Sequence, residues 1–133
     1  SDRAGGFGDK DIWFAYMKDD GSFSEAVNLG PQINSGEMED QFWISETPDS
    51  RGNYAAYFNR TGSQIWQTSW NAKTGFSKPN MLDLGRTHSG EASVTADGQE
   101  LYFASGDPKT ETLKIMVSRK TAAGTWGPGR PVD

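Results

Sequence analysis

The chain has 133 residues, no cysteine and a net charge of −5. That length allows one domain or part of a larger one, and the missing cysteines exclude disulfides and thiolate metal sites. Lysines and arginines are scattered, which excludes the clustered phosphate-binding surface that nucleic-acid recognition needs, and no stretch approaches the apolar length of a membrane span.

Asp2–Asp11 is a polar loop holding three glycines and three aspartates. Asp11–Lys18 is a strand by composition, apolar on both faces, so it is expected to be covered on both sides. Asp19-Asp20-Gly21 is a hairpin turn, and Phe23–Leu29 returns antiparallel to that strand, ended by Gly30-Pro31. Residues 34–40 are an acidic, solvated connection. Strands follow at Gln41–Ser45 and Tyr54–Phe58, separated by the loop Pro48–Asn53, and Ile65–Trp70 opens another hairpin. Ala92–Thr95 and Leu101–Ala104 flank an Ala96-Asp97-Gly98 turn, Ser105–Thr110 is a loop, and Leu113–Arg119 and Trp126–Val132 close the chain. No segment has useful helical periodicity.

The hairpin pattern returns three times. Ile12–Gly30, Ile65–Gly85 and Ile115–Asp133 each open on an apolar strand, turn through glycine, and start the return strand on an aromatic: Phe23, Phe76 or Trp126. Repeats 53 and 50 residues apart are in the range of propellers or arrays. Four antiparallel strands per repeat describe one propeller blade. The expected fold is therefore all-β: about two and a half blades, with a half blade over 1–38 and blades over 39–90 and 91–133.

SVTADGQELYFAS (Ser93–Ser105) resembles the strand–turn–strand signature of the TolB-like, or WD-like, propeller repeats. SDRAGGFGDKDIW (Ser1–Trp13) resembles the loop and third strand of that family, and FSEAVNLGPQIN (Phe23–Asn34) its fourth strand and inter-blade connection. TPDSRGNYAAYF departs from the pattern by a longer loop, and SGDPKTETLKI lacks the Arg-Gly-Gly loop of the first repeat. The resemblance implies a propeller fold, a surface-binding habit and a periplasmic or secreted setting in a bacterial envelope. It implies no chemistry.

Candidate sites are few. Asp9 and Asp11 offer carboxylates to a metal such as calcium, but they lack EF-hand spacing, and the competing reading is aspartate capping the amides of a glycine-rich turn. Gly5-Gly6-Phe7-Gly8 is no phosphate cradle, since no helix or lysine follows. Glu37, Glu39 and Asp40 could serve glycoside hydrolysis only if correctly spaced across a cleft; a solvated connection is the expected reading. His88 is the single histidine, expected as a polar loop residue. Trp13 and Trp66 match in register, with Met116 in the third repeat, which points to core packing. Tyr16 and Trp70 lie near strand ends, where an exposed ring can stack on a sugar or anchor a protein. Asn59-Arg60-Thr61 fits a glycosylation sequon.

The expected function is a non-catalytic binding module with no cofactor, taking a protein or carbohydrate partner through loop ends and the ligand-binding candidates Tyr16, Trp70 and His88. The alternative is part of a propeller-fold polysaccharide hydrolase or lyase. A partial ring leaves strand edges open, so either a longer propeller or a homo-oligomer is expected to complete it.

Overall fold

The computed structural model describes residues 1–107, 109–110 and 112–132. Among these the chain is all-β, without a helix. The strands are β1 (Trp13–Phe14), β2 (Val27–Asn28), β3 (Glu39–Ile44), β4 (Asn53–Arg60), β5 (Gln64–Asn71), β6 (Gly75–Phe76), β7 (Asn80–Met81), β8 (Gly90–Val94), β9 (Glu100–Asp107), β10 (Thr112–Arg119) and β11 (Arg130–Pro131). They form three antiparallel sheets: the pair β1-β2, then β3-β4-β5-β6 with β7 also on β5, then the four-stranded β8-β9-β10-β11.

The three hairpins share one hydrogen-bonding register. Trp13 pairs with Asn28, Trp66 with Met81 and Met116 with Pro131. Nearer the tips, Met17 pairs with Phe23, Trp70 with Phe76 and Lys120 with Trp126. The amides of Leu29, Leu82 and Val132 donate to the carbonyls of Ile12, Ile65 and Ile115, and those of Ser24, Ser77 and Gly127 to the carbonyls of Tyr16, Ser69 and Arg119. Between these anchors each return strand bulges away from its partner. Hydroxyls fill the bulge in two of them: Thr68 donates to the Ser77 carbonyl at 2.7 Å and Ser118 to that of Gly127 at 2.6 Å. At the first tip Gly21 takes φ +80°, a left-handed turn conformation that glycine adopts without a Cβ clash.

β3 and β8, the edge strands that open the second and third sheets, are each tied to the hairpin before them. The Glu39 amide donates to the Lys10 carbonyl and the Ser89 amide to that of Ser63. The second and third sheets pack face to face where β8 crosses β3, β4 and β5. Side-chain alternation sends Leu101 and Phe103 of β9 and Met116 of β10 into this seam, where they meet Tyr57, Ile65, Leu84 and Ala92. Phe103 packs so closely on the backbone of Gly129 that a Cβ there would lie 2.4 Å from its Cζ.

Several expectations need correction. Asp11–Lys18 is not a strand covered on both sides. Within it Trp13–Phe14 is the paired strand, and Tyr16 and Met17 are 66% and 72% exposed, because among the described residues β2 is the one strand paired with β1. The return strand Phe23–Leu29 is reduced to Val27–Asn28 and an isolated bridge at Phe23. β9 runs through Ser105 to Asp107, shortening the expected loop, whose Pro108 lies outside the described residues, as do Glu111 and the terminal Asp133.

The acidic connection is not solvated throughout. Glu39 opens β3 with its side chain fully buried, paired to Arg60 Nε at 2.8 Å. The Ser35 amide and hydroxyl also donate to Glu39, and Arg60 Nη2 donates to the Ile33 carbonyl at 2.8 Å. The guanidinium stacks over Trp66, 4.5 Å from the ring centre. Trp66 is therefore packed against a cation, and Trp13 likewise lies under Arg3 at 5.2 Å, both rings being partly buried.

The exposed turns are held by aspartates. Asp20 accepts from the hydroxyl and amide of Ser22, Asp49 from the amides of Asn53 and Arg51, and Asp97 from the Thr95 hydroxyl and the Gln99 amide. These donors stabilise the anions and hold all three carboxyls below their ordinary 3.8. The unfolded chain then takes up protons first. The stabilisation is complete above pH 3.8 and is lost as pH falls below it. Urea unfolding is expected to show a lower midpoint at pH 3 than at pH 7, and an unchanged midpoint would contradict these turn bonds.

Candidate functional site

Two left-handed residues mark the place where successive sheets meet. Gln41 in β3 has φ +52° and Glu91 in β8 has φ +57°, although neither is glycine. They occupy equivalent positions, each at an irregularity of an edge strand: between Asp40 and Trp43 in β3, and between Gly90 and Ser93 in β8. A left-handed backbone costs a residue with a Cβ roughly 1–2 kcal/mol, so something must hold it.

The holding groups are visible. Gln41 Oε1 accepts from the Glu91 amide at 3.0 Å, and Gln41 Nε2 donates to Glu91 Oε1 at 3.4 Å. Beneath them lies Asn59, fully buried; its Nδ2 donates to the Ser89 carbonyl at 2.9 Å and its Oδ1 accepts from the Glu91 amide at 3.3 Å. This burial removes Asn59 from consideration as a glycosylation acceptor in the folded chain. Gly90 closes the arrangement, since a Cβ there would lie 2.9 Å from both Asn59 Nδ2 and Gln41 Oε1.

Around this node opens a cleft of ≈ 360 Å³ lined by Gln41, Ser63, His88, Glu91, Thr112 and Leu113, among others. Its walls offer an amide, a carboxylate, an imidazole and the hydroxyls of Ser63, Ser89 and Thr112 beside one exposed aliphatic side chain. Among the described residues, Glu91 is its one carboxylate.

The structure scatters the sequence-predicted residues. His88 lines the cleft, exposed, with Nδ1 3.2 Å from the Thr87 hydroxyl. Tyr16 and Trp70 lie elsewhere, near the hairpin tips. Tyr16 meets Phe14 edge-on at 5.0 Å, and Trp70 is half-buried against Tyr54 at 5.7 Å. Asp9 is exposed, whereas Asp11 is buried and its carboxylate accepts from the Phe7 and Gly8 amides at 2.6 and 3.2 Å and from Asn28 Nδ2 at 2.7 Å. Burial pushes the Asp11 carboxyl up, but these donors outweigh it and hold the group below its ordinary range. Asp11 thus caps the amides of its own glycine-rich loop, and among the described residues no group of three or more carboxylates or histidines is placed to hold a metal.

Neither Gln41 nor Glu91 belongs to a sequence motif that marks a site. The usable signal is the 50-residue spacing that places them at the same point of β3 and β8.

The chain matches no protein-family model, no curated protein and no solved structure.

Proposed function

We propose that the sheets are successive blades of a TolB-like propeller and that the protein is a non-catalytic, extracytoplasmic binding module, gripping a carbohydrate in the cleft where its inner strands meet. The observation that carries this reading is the pair Gln41 and Glu91. Two residues held in a strained backbone at equivalent places, touching each other and facing one cleft, suggest a ligand site, because strain of this kind concentrates where function requires it. The chemistry suits a hydroxyl-rich ligand: amide, carboxylate and hydroxyls for sugar oxygens, and Leu113 for a sugar's apolar face. The repeated hairpin register and the face-to-face seam support the blade reading. Hydrolysis by paired carboxylates needs two acids flanking the bond, and one is present among the described residues of the cleft.

Calorimetric titration with a panel of soluble oligosaccharides tests this. Gln41→Asn and Glu91→Asn remove the reaching groups yet tolerate a left-handed backbone, so both variants should fold. Glu91→Asn is expected to weaken binding about tenfold or more, the loss of a hydrogen bond to a charged group (~1.5 kcal/mol), and Gln41→Asn about fivefold, the loss of a neutral one (~1 kcal/mol). Binding that survives both changes, or no binding by the unaltered chain across the panel, would rule out the cleft as a carbohydrate site.

A further inference from the structure

The cleft carries a charge that the fold leaves without a counter-charge. Glu91 is its one carboxylate among the described residues, and no described lysine or arginine lines it. Ion pairs of the described residues join Arg60 to Glu39 and Arg119 to Glu100, and none of these four lines the cleft. Carboxylates elsewhere are engaged by turn donors: Asp11 by the Phe7 and Gly8 amides, Asp49 by those of Arg51 and Asn53, Asp97 by the Thr95 hydroxyl and the Gln99 amide. The Glu91 carboxylate receives one long contact, from Gln41 Nε2 to Oε1 at 3.4 Å.

Glu91 is also fixed in place. Its φ of +57° is held at the amide, which donates to Gln41 Oε1 at 3.0 Å and to Asn59 Oδ1 at 3.3 Å, while its side chain stays exposed. β3 supplies the comparison. Gln41 stands at the equivalent point with φ +52° and a side chain of nearly the same shape, but neutral. The same backbone therefore accepts an amide, and the local fold does not demand the charge in β8. An ionised carboxylate only accepts hydrogen bonds, and a charged donor engages it most strongly. Among sugars, the charged donor is the ammonium of an amino sugar, whereas a hydroxyl is a neutral one. The chain's net charge of −5 attracts a cation in the same sense.

We infer that the cleft selects amino sugars, the Glu91 carboxylate pairing with a protonated amine while Gln41 and the hydroxyls of Ser63, Ser89 and Thr112 meet the sugar's neutral oxygens. This rests on the carbohydrate reading of the cleft and narrows it to a cationic class. Because Glu91 is exposed, water and salt screen the pair, and the preference is modest. His88 is the other titratable group that lines the cleft among the described residues. Its imidazolium form repels an ammonium, so the preference is read at one fixed pH.

Calorimetric titration with matched pairs of oligosaccharides tests the inference. Glucosamine oligomers are set against glucose oligomers of the same length and linkage, which carry a hydroxyl at C2 in place of the ammonium, and galactosamine against galactose oligomers likewise. At a pH that keeps the sugar amine protonated, the unaltered chain is expected to bind the amino member about fivefold more tightly. That advantage should shrink as salt is added. Glu91→Gln gives β8 the side chain that β3 already holds in a left-handed backbone, so it should fold and bind both members alike. Glu91→Asn serves in its place if circular dichroism shows it unfolded. Equal affinity of the unaltered chain for both members would overturn the amino-sugar preference and leave the carbohydrate cleft standing. A preference that survives the loss of the carboxylate in a folded variant would overturn it as well. Binding of neither member would remove both the preference and the reading beneath it.

Discussion

Replacing Arg60 with Met is expected to destabilise the chain by about 3–5 kcal/mol, because it strands a buried carboxylate. Glu39 has no side-chain exposure, and Arg60 is its only ionic partner among the described residues, at 2.8 Å. Without the guanidinium, Glu39 keeps only neutral donors, from Ser35. The Ile33 carbonyl loses its Nη2 donor, and Trp66 loses the cation over its ring. The double variant Arg60→Met with Glu39→Gln should recover much of the loss, since no lone charge then remains in the interior. Urea unfolding of the single and double variants measures both numbers. A single-variant loss under about 1 kcal/mol would show that the pair behaves like a surface salt bridge, and that the join between the first hairpin and the second sheet is looser than its hydrogen bonds imply.

The second large effect concerns the seam between the full sheets. Phe103→Ala is expected to cost about 3–5 kcal/mol, the lost transfer energy of the ring together with an unfilled cavity. Phe103 is 1% exposed and sits directly on Gly129. That contact supplies an internal control. Gly129→Ala alone should be destabilising, since its methyl would lie 2.4 Å from the ring. In the Phe103→Ala background the same methyl enters vacated space and should be neutral or helpful. A double-mutant cycle is therefore expected to give a coupling opposite in sign to the single losses. Simple additivity would mean that ring and glycine are not in contact.

The hairpins are legible in the sequence because they depend on local signals: two-residue alternation, a glycine at the tip and an aromatic opposite a fixed position. Those signals place Phe23, Phe76 and Trp126 in the right register from spacing alone. Burial is less legible. Asp11–Lys18 has the composition of a strand with two covered faces, yet coverage depends on neighbouring sheets, and Tyr16 and Met17 have too few neighbours. Glu39 looks solvated in sequence because its partner is distant along the chain; only the register that pairs Glu39 with Arg60 across β3 and β4 brings them together. The cleft is hardest to read. His88 stands out as a lone histidine, whereas Gln41 and Glu91 are residue types with no left-handed preference, and their conformation arises from contacts made on folding.

The proposed function is ligand binding, without chemical change to the ligand, in the cleft where β3 meets β8. Proton–nitrogen correlation spectra of the labelled protein, recorded during titration with an oligosaccharide and followed by chemical analysis of the sugar, test it most directly. Shift changes are expected to concentrate at Gln41, Ser63, Glu91 and Thr112, with the sugar recovered intact. Changes centred on Tyr16 and Trp70, or cleaved sugar in the tube, would contradict it.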